Sequence, residues 1–308
     1  MHTLRIYTFG GFRVYWGDEL IDDFPTRKAE SLFCYLILNR HRFHPREVLA
    51  RLFWGESEPK NAKHCLSTTL WRLRRTLESN PSANTYLLVE RDQIRFNPES
   101  NYRLDSEQFE KKIRRAEGVK RADLSEPQAT ALDEAVELYR GDFLDGFYDD
   151  WCLYERERLE QMFLRALAKL MVYHGTKDRF EKGISYGQRI LSLDPLREEV
   201  HRELMRYHLL AGRRGSALQQ FHICRRVLRE ELDIEPMPET QALYRTMKER
   251  RWTEEKPLTE HHDVPASQTS RALARLRMAL ERFDEAKRQL CQAITALEKS
   301  STNLDHDI

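Results

Sequence analysis

A mainly α chain with a small α+β part at its N-terminus is what this sequence predicts, on three observations. Apolar residues alternate at period two from Leu4 to Trp16 and again from Tyr86 to Phe96. Between those stretches, three runs carry apolar residues at helical spacing. From Tyr102 onward the pattern is almost wholly helical, and one pentad recurs at an offset of 34 residues.

Composition sets the bounds. A chain of 308 residues with 40% apolar and 33% charged residues is long enough for about two domains and able to bury cores. The net charge of +1 argues against a uniformly basic coat. Its distribution is uneven: residues 1–104 hold 16 Lys/Arg against 12 Asp/Glu, whereas residues 122–160 hold 3 against 12. Phosphate is therefore expected to meet the first part alone. Cys34, Cys65, Cys152, Cys224 and Cys291 are scattered without zinc spacing, so neither a metal nor a disulfide framework is expected. Most of them lie within apolar helical patterns and read as small core residues. No apolar run approaches a membrane span and no signal-peptide core opens the chain, so the expected location is a reducing cytoplasm, with no membrane partner.

In order, Leu4–Phe9 reads as a strand, Gly10-Gly11 as a turn, Phe12–Trp16 as a second strand, and Leu20-Ile21 as a short third. Ala29, Leu32, Phe33, Leu36 and Ile37 predict a helix over 27–38. His44-Pro45 is read as opening a second helix, with Val48, Leu49, Leu52 and Phe53 on one face and Trp54 in the core. Pro59 then opens a third helix running to Leu77. Ala62, Leu66, Leu70, Leu73 and Leu77 recur at spacings of four, four, three and four and form one narrow apolar stripe. The opposite face carries Asn61, His64, Thr68, Trp71, Arg72 and Arg75, with Lys60 and Lys63 beside it. From Lys60 to Leu77 there are five cations and no acid. A solvated surface helix usually interleaves both signs, so this face suits a DNA major groove. Two strands around a turn near Arg91-Asp92 follow. Three helices and a hairpin make the winged helix-turn-helix plan.

The run "REVLARLFWGESEPKNAKHCLSTTLWRLRRTLE", followed by "YLLVERDQIRFN", resembles the response-regulator type of winged helix. The resemblance departs at the wing. That type usually has a glycine-rich turn, and here the turn is Arg91-Asp92-Gln93-Ile94, which argues against deep minor-groove insertion.

Further on, Leu170-Met171-Val172-Tyr173-His174 recurs as Leu204-Met205-Arg206-Tyr207-His208. The same offset pairs Ile184 with Leu218, Ile190 with Cys224 and Leu193 with Val227. Thirty-four residues is the tetratricopeptide period, two antiparallel helices per unit. Asp194-Pro195 and Glu235-Pro236 punctuate the two units. The motifs Tyr139-Arg140-Gly141-Asp142-Phe143-Leu144 and Leu232-Asp233-Ile234-Glu235-Pro236 are similar to those of the bacterial transcriptional activator domain. Joined to the winged helix, they resemble the SARP-type antibiotic regulatory proteins over roughly residues 4–250. That resemblance implies sequence-specific binding of double-stranded DNA near promoters and recruitment of RNA polymerase. By analogy, the acidic loop Gly55-Glu56-Ser57-Glu58 faces the polymerase.

The expected fold is thus mainly α with a small α+β N-terminal domain: a winged helix-turn-helix over 1–104, then a tetratricopeptide-like helical repeat domain over 105–252. The helical part is expected to supply its own core. A linker over 253–270 leads to a C-terminal amphipathic helix over 271–300. His261-His262-Asp263 in the linker reads as solvated polar residues rather than a metal site. Four heptads run from Leu273 to Leu297, with Lys287 at one core position and alanines at every g position. Two readings stay open there: a coiled coil that makes a homodimer, and a helix docked on a repeat array.

The site residues expected on DNA are Lys60, Lys63, His64, Thr68, Trp71, Arg72, Arg75 and, at the wing, Arg91. Arg72 and His64 suit guanine edges, Thr68 a thymine methyl or base edge, and Lys60, Lys63 and Arg75 phosphates. Trp71 has two readings, an apolar contact with DNA or a brace against the hairpin. No catalytic set and no cofactor is expected: there is no P-loop or GxGxxG, and Asp142, Asp145, Asp149 and Asp150 lack any leaving-group clamp. The rival reading is a repeat scaffold or ligand sensor whose DNA binding is secondary. Salt-dependent affinity for duplex DNA separates the two.

Overall fold

Leu4 and Ile6 point inward and Arg5 and Tyr7 outward on β1 (Leu4–Tyr7), the alternation that a one-sided sheet requires. The computed structural model describes residues 3–22, 24–78 and 85–249, and it groups Met1–Arg251 as one unit. The expected linker and C-terminal helix lie outside the described residues. β1 pairs antiparallel with β2 (Arg13–Trp16), which pairs with β3 (Glu19–Ile21). Helix α1 (Arg27–Leu38) starts where Thr26 Oγ1 accepts from the Ala29 N–H at 3.1 Å. It buries Leu32, Phe33, Leu36 and Ile37.

His44-Pro45 does not open the second helix as expected. It forms a two-residue strand, β4, and helix α2 covers Arg46–Trp54. The expected face of α2 is corrected as well. Leu49, Ala50, Phe53 and Trp54 are buried, but Val48 and Leu52 are 52% and 46% exposed. Apolar identity alone does not specify burial. Helix α3 (Pro59–Leu77) buries all five stripe residues, as its periodicity predicts. A hairpin follows, β5 (Leu87–Glu90) and β6 (Gln93–Phe96), with β4 paired to β6. β7 (Tyr102–Leu104) then pairs parallel with β1, closing the order β3-β2-β1-β7.

The rest is helical: α4 (Asp105–Arg114), a 3-10 turn at Arg121–Asp123, α5 (Glu126–Leu138), α6 (Asp150–Thr176), α7 (Phe180–Leu193), α8 (Glu198–Leu210), α9 (Arg214–Leu232) and α10 (Pro238–Lys248). The repeat places equivalent residues in equivalent settings: Leu170 and Leu204, Met171 and Met205, and Tyr173 and Tyr207 are all buried. The pair Leu193 and Val227 departs from this, since Leu193 is 36% exposed at a helix end. Tyr207 reaches across to α6 and α7. A Cβ on Gly175 would lie 2.4 Å from its hydroxyl, and one on Gly183 would lie 3.0 Å from its ring. These glycines let the neighbouring helices close on the ring.

The helical part supplies most of its own core, as expected, and shares its edge with the N-terminal part. Phe9 and Cys34 of the N-terminal part sit in the large helical core, where Phe9 meets Tyr139 at 4.7 Å and Phe109 at 5.2 Å between ring centroids. The seam also holds backbone bonds, Gly10 N–H to Asp142 O at 3.0 Å and Leu144 N–H to Thr8 O at 2.7 Å. At its centre the buried Asp105 carboxylate accepts from Thr8 N, Phe9 N, Ser106 N and the Thr8 hydroxyl. Burial pushes this carboxyl above its ordinary value, against the pull of those hydrogen bonds.

Candidate nucleic-acid interface

The apolar stripe of α3 fixes which side chains face outward. With Ala62, Leu66, Leu70, Leu73 and Leu77 inward, Lys60, Asn61, His64, Trp71, Arg72 and Arg75 are exposed and Thr68 is half-buried. The C-terminal end of the helix is held. Trp16 Nε1 donates to Leu77 O at 3.3 Å, and Arg74 Nη2 donates to Leu87 O at 2.7 Å, tying the last turns to the sheet and the hairpin. Arg74 thus fixes the wing against α3 while Arg75, one residue on, faces solvent.

Trp71 does not brace the hairpin. Its side chain is 61% exposed, and the Arg75 guanidinium lies 5.7 Å from the ring centroid. Indole and guanidinium together form a flat cationic platform on the outer face. Lys63 is placed differently from its neighbours. At about 60° from the stripe centre on a helical wheel it lies on the flank toward α2, where its Nζ is 2.5 Å from Glu47 Oε1. This hydrogen bond raises the Lys63 ammonium and lowers the Glu47 carboxyl from their ordinary values. Both side chains are exposed, and salt screens such a pair.

The wing tip is a two-residue connection, Arg91-Asp92, between paired Glu90 and Gln93. Arg91 is exposed and takes a left-handed φ of 53°, a conformation that glycine or asparagine adopts more cheaply. Its neighbours Glu90 and Asp92 are exposed carboxylates, so the tip carries little net positive charge.

The structure adds Arg46, which sequence reasoning missed. It is the first residue of α2; its Nη2 donates to Ser67 on α3 at 2.7 Å and its Nε lies 4.0 Å from Asp92 on the wing. The Arg46 N–H also donates to Asp92 O at 2.9 Å. One side chain thereby joins α2, α3 and the wing. A signal was present: a cation at a helix N-terminus opposes the helix dipole and needs a reason to be there. Among the described residues no group of His, Cys, Asp and Glu could hold a metal, and no helix is long and apolar enough to cross a membrane.

Comparison with known proteins agrees with this arrangement. Residues 104–248 match the bacterial transcriptional activator domain. The chain is 26% identical over 232 residues to the transcriptional regulatory protein MoaR1 of Mycobacterium tuberculosis, covering 71% of each. It is 26% identical over 243 residues to the regulatory protein AfsR of Streptomyces coelicolor, covering 78% of this chain but 24% of that longer one. The solved structure of Mycobacterium tuberculosis EmbR, in complex with a low-affinity phosphopeptide, shares the fold. Its TM-score is 0.64 at 20% identity, covering 82% of this chain and 67% of that one. With a bacterial transcriptional activator domain over residues 104–248 and transcriptional regulators among its relatives, the chain is a DNA-binding transcriptional regulator similar to those of the SARP type.

Proposed function

We propose that this chain is a promoter-binding activator that places α3 in the major groove and recruits RNA polymerase. The observation that carries the reading is the outer face of α3: Lys60, His64, Arg72 and Arg75 are exposed on a helix with no acidic residue between Pro59 and Leu77. Arg72 and His64 read base edges, Thr68 meets a thymine methyl or base edge, and Lys60 and Arg75 meet phosphates. Trp71, unbraced and exposed, lies against sugar or thymine methyls. Arg91 meets a phosphate beside the groove without deep insertion, because its tip is short and flanked by carboxylates. Lys63 takes a phosphate only by giving up Glu47.

In this reading residues 1–104 bind DNA, 105–252 form the activator domain, 253–270 connect and 271–300 self-associate into a homodimer on adjacent half-sites. Selection of bound duplexes from a random pool, followed by affinity against salt, tests the DNA-binding part. The expected slope of log affinity on log salt is about −0.9 for each phosphate neutralised. A flat response would leave the scaffold reading standing instead. Deleting residues 271–308 and weighing the protein by light scattering tests the dimer, which should become a monomer with weaker operator binding.

A further inference from the structure

Helix α6 starts with a face that is left in solvent. Asp150, Leu153 and Tyr154 are exposed at i, i+3 and i+4, with the half-buried Glu157 at i+7, the spacing that normally marks a buried stripe. Here the buried side of the helix is the opposite one, carrying Cys152, Leu159 and Phe163. Leu153 is 43% exposed and Tyr154 80%, and Tyr148, just before the helix, is 78% exposed. Acidic residues at a helix start favour the dipole and need no ligand. Exposed tyrosines and a leucine gathered on one face gain nothing from that effect.

The loop that delivers Tyr148 is held rigidly. Arg156 donates to Phe143 O at 2.8 Å, Leu144 O at 2.7 Å and Phe147 O at 3.0 Å. From α1, Arg27 donates to Gly146 O at 2.8 Å and lies 3.6 Å over the Phe147 ring. Leu144 is fully buried with a left-handed φ of 46°, a backbone state kept only where the surroundings enforce it. Ser31 donates to Asp149 at 2.8 Å, and Tyr35 meets Trp151 at 5.5 Å between centroids, so the start of α6 is also fixed to α1. A rigid frame presenting exposed aromatics has little left to order on binding.

Charge selects the occupant. Asp142, Asp145, Asp149 and Asp150 are exposed around this face, and none of the four is ion-paired among the described residues. Such a rim repels DNA phosphates and attracts a cationic protein surface.

We propose that the exposed face of α6, with Tyr148, Leu153 and Tyr154 as anchors and Asp145 and Asp150 at the rim, docks a basic helical segment of RNA polymerase. This rests on the recruitment reading above and adds where the contact is made. The anchors fit apolar positions of a helix laid along α6, and the rim fits its Lys and Arg residues.

The test uses the full chain, its selected operator duplex and purified RNA polymerase holoenzyme. Two variants are compared with the parent: Tyr148→Ser with Tyr154→Ser, and Asp145→Lys with Asp150→Lys. All four side chains are exposed, so the tyrosine variant should melt like the parent and the charge-reversal variant only slightly below it, because Asp150 favours the dipole at the start of α6. Each should bind the operator within about twofold of the parent, yet form the ternary complex and activate transcription about tenfold less well. The charge-reversal variant should also lose most of the salt dependence of ternary-complex formation. Variants that recruit polymerase as the parent does would overturn the docking face while leaving recruitment intact. A parent that binds operator without recruiting polymerase would overturn both. A tyrosine variant whose mass drops in light scattering would also overturn the proposal, by making this face a contact between copies of the chain.

Discussion

At the seam between β1 and α4, the Asp105 carboxylate accepts from four donors out of contact with water; on the outer face of α3, Lys60, His64 and Arg72 are left in solvent. The same winged helix therefore carries polar groups in two states. Those at the seam are satisfied within the protein and act on stability, because a buried donor without a partner is costly. Those on α3 are exposed and have no partner among the described residues, which leaves them open to a ligand. The difference suggests a rule for this chain. Substitution at the seam should change melting and, through it, everything else, whereas substitution on α3 should change DNA binding alone.

Asp105→Ala gives the largest expected effect. It strands the Thr8 and Phe9 amides and the Thr8 hydroxyl in a core that also holds Phe9, Phe109 and Tyr139. Each stranded donor costs about 1–3 kcal/mol, so a loss upwards of about 3 kcal/mol is expected in denaturant unfolding. One cooperative transition should persist, shifted for the sheet and the helices together. Two separated transitions would mean that the two parts melt independently despite the shared core.

Arg72→Ala comes next. No partner among the described residues holds the exposed Arg72, so the stability should stay within about 0.5 kcal/mol of the parent. Specific affinity should fall by about 1–3 kcal/mol if a bidentate base contact is lost, with non-specific affinity falling less. Equal losses on specific and random duplexes would demote Arg72 to a phosphate contact.

How much of this contrast was legible follows from range. The α3 stripe was legible in full because a period of 3.6 is a local property, and five of five apolar positions are buried. The 34-residue repeat was legible for the same reason. The seam was not: Asp105 and Thr8 are 97 residues apart, and nothing near either residue signals the other. On α2, Val48 and Leu52 share apolar character with Leu49 and Phe53 and differ only in what packs above them, which a single sequence does not record. Among the candidate site residues, exposure on the helix was readable, but partners supplied by other elements were not. Arg46 reaching Ser67 and Asp92, and Glu47 reaching Lys63, are both of this kind.

The helical part offers a third, smaller contrast, in pH. Burial lowers His174, His201 and His208 below the ordinary value of 6.5, and His44 of the winged helix likewise. His201 is satisfied as a neutral ring, with Pro195 O 3.0 Å from Nε2 and Gln220 Nε2 2.6 Å from Nδ1. His174 has no hydrogen-bond partner on either nitrogen among the described residues. The unfolded chain thus binds more protons than the folded one below pH 6.5, so stability is fully present above that value and is lost as pH falls toward the folded values. Asp105 acts in the opposite sense, over the window that runs upward from its ordinary value of 3.8 to its raised folded value. Melting temperature measured from pH 8 to pH 5 should therefore fall below about pH 6.5. His201→Gln should flatten that fall, and a parent curve with no slope would contradict the assignment of neutral buried rings.

Lys63 gives the smallest effect and tests the boundary between the two states. It lies on α3, yet its ammonium is already committed to Glu47 at 2.5 Å, an exposed pair on the flank toward α2. A paired lysine brings a phosphate little net charge, because the carboxylate approaches with it. Lys63→Ala should therefore reduce the salt slope of DNA binding by less than the roughly one unit expected for a free phosphate contact such as Lys60 or Arg75. Part of even that change would come from the Glu47 carboxylate left unpaired beside the DNA. Glu47→Gln separates the two contributions. It removes the competing carboxylate, so affinity should rise and the slope steepen, with Lys63 then counting as a full contact. If Lys63→Ala instead costs as much slope as Lys60→Ala, and Glu47→Gln changes nothing, DNA breaks the pair on binding. Lys63 would then belong with Lys60 and Arg75, as its place on the helix first suggested.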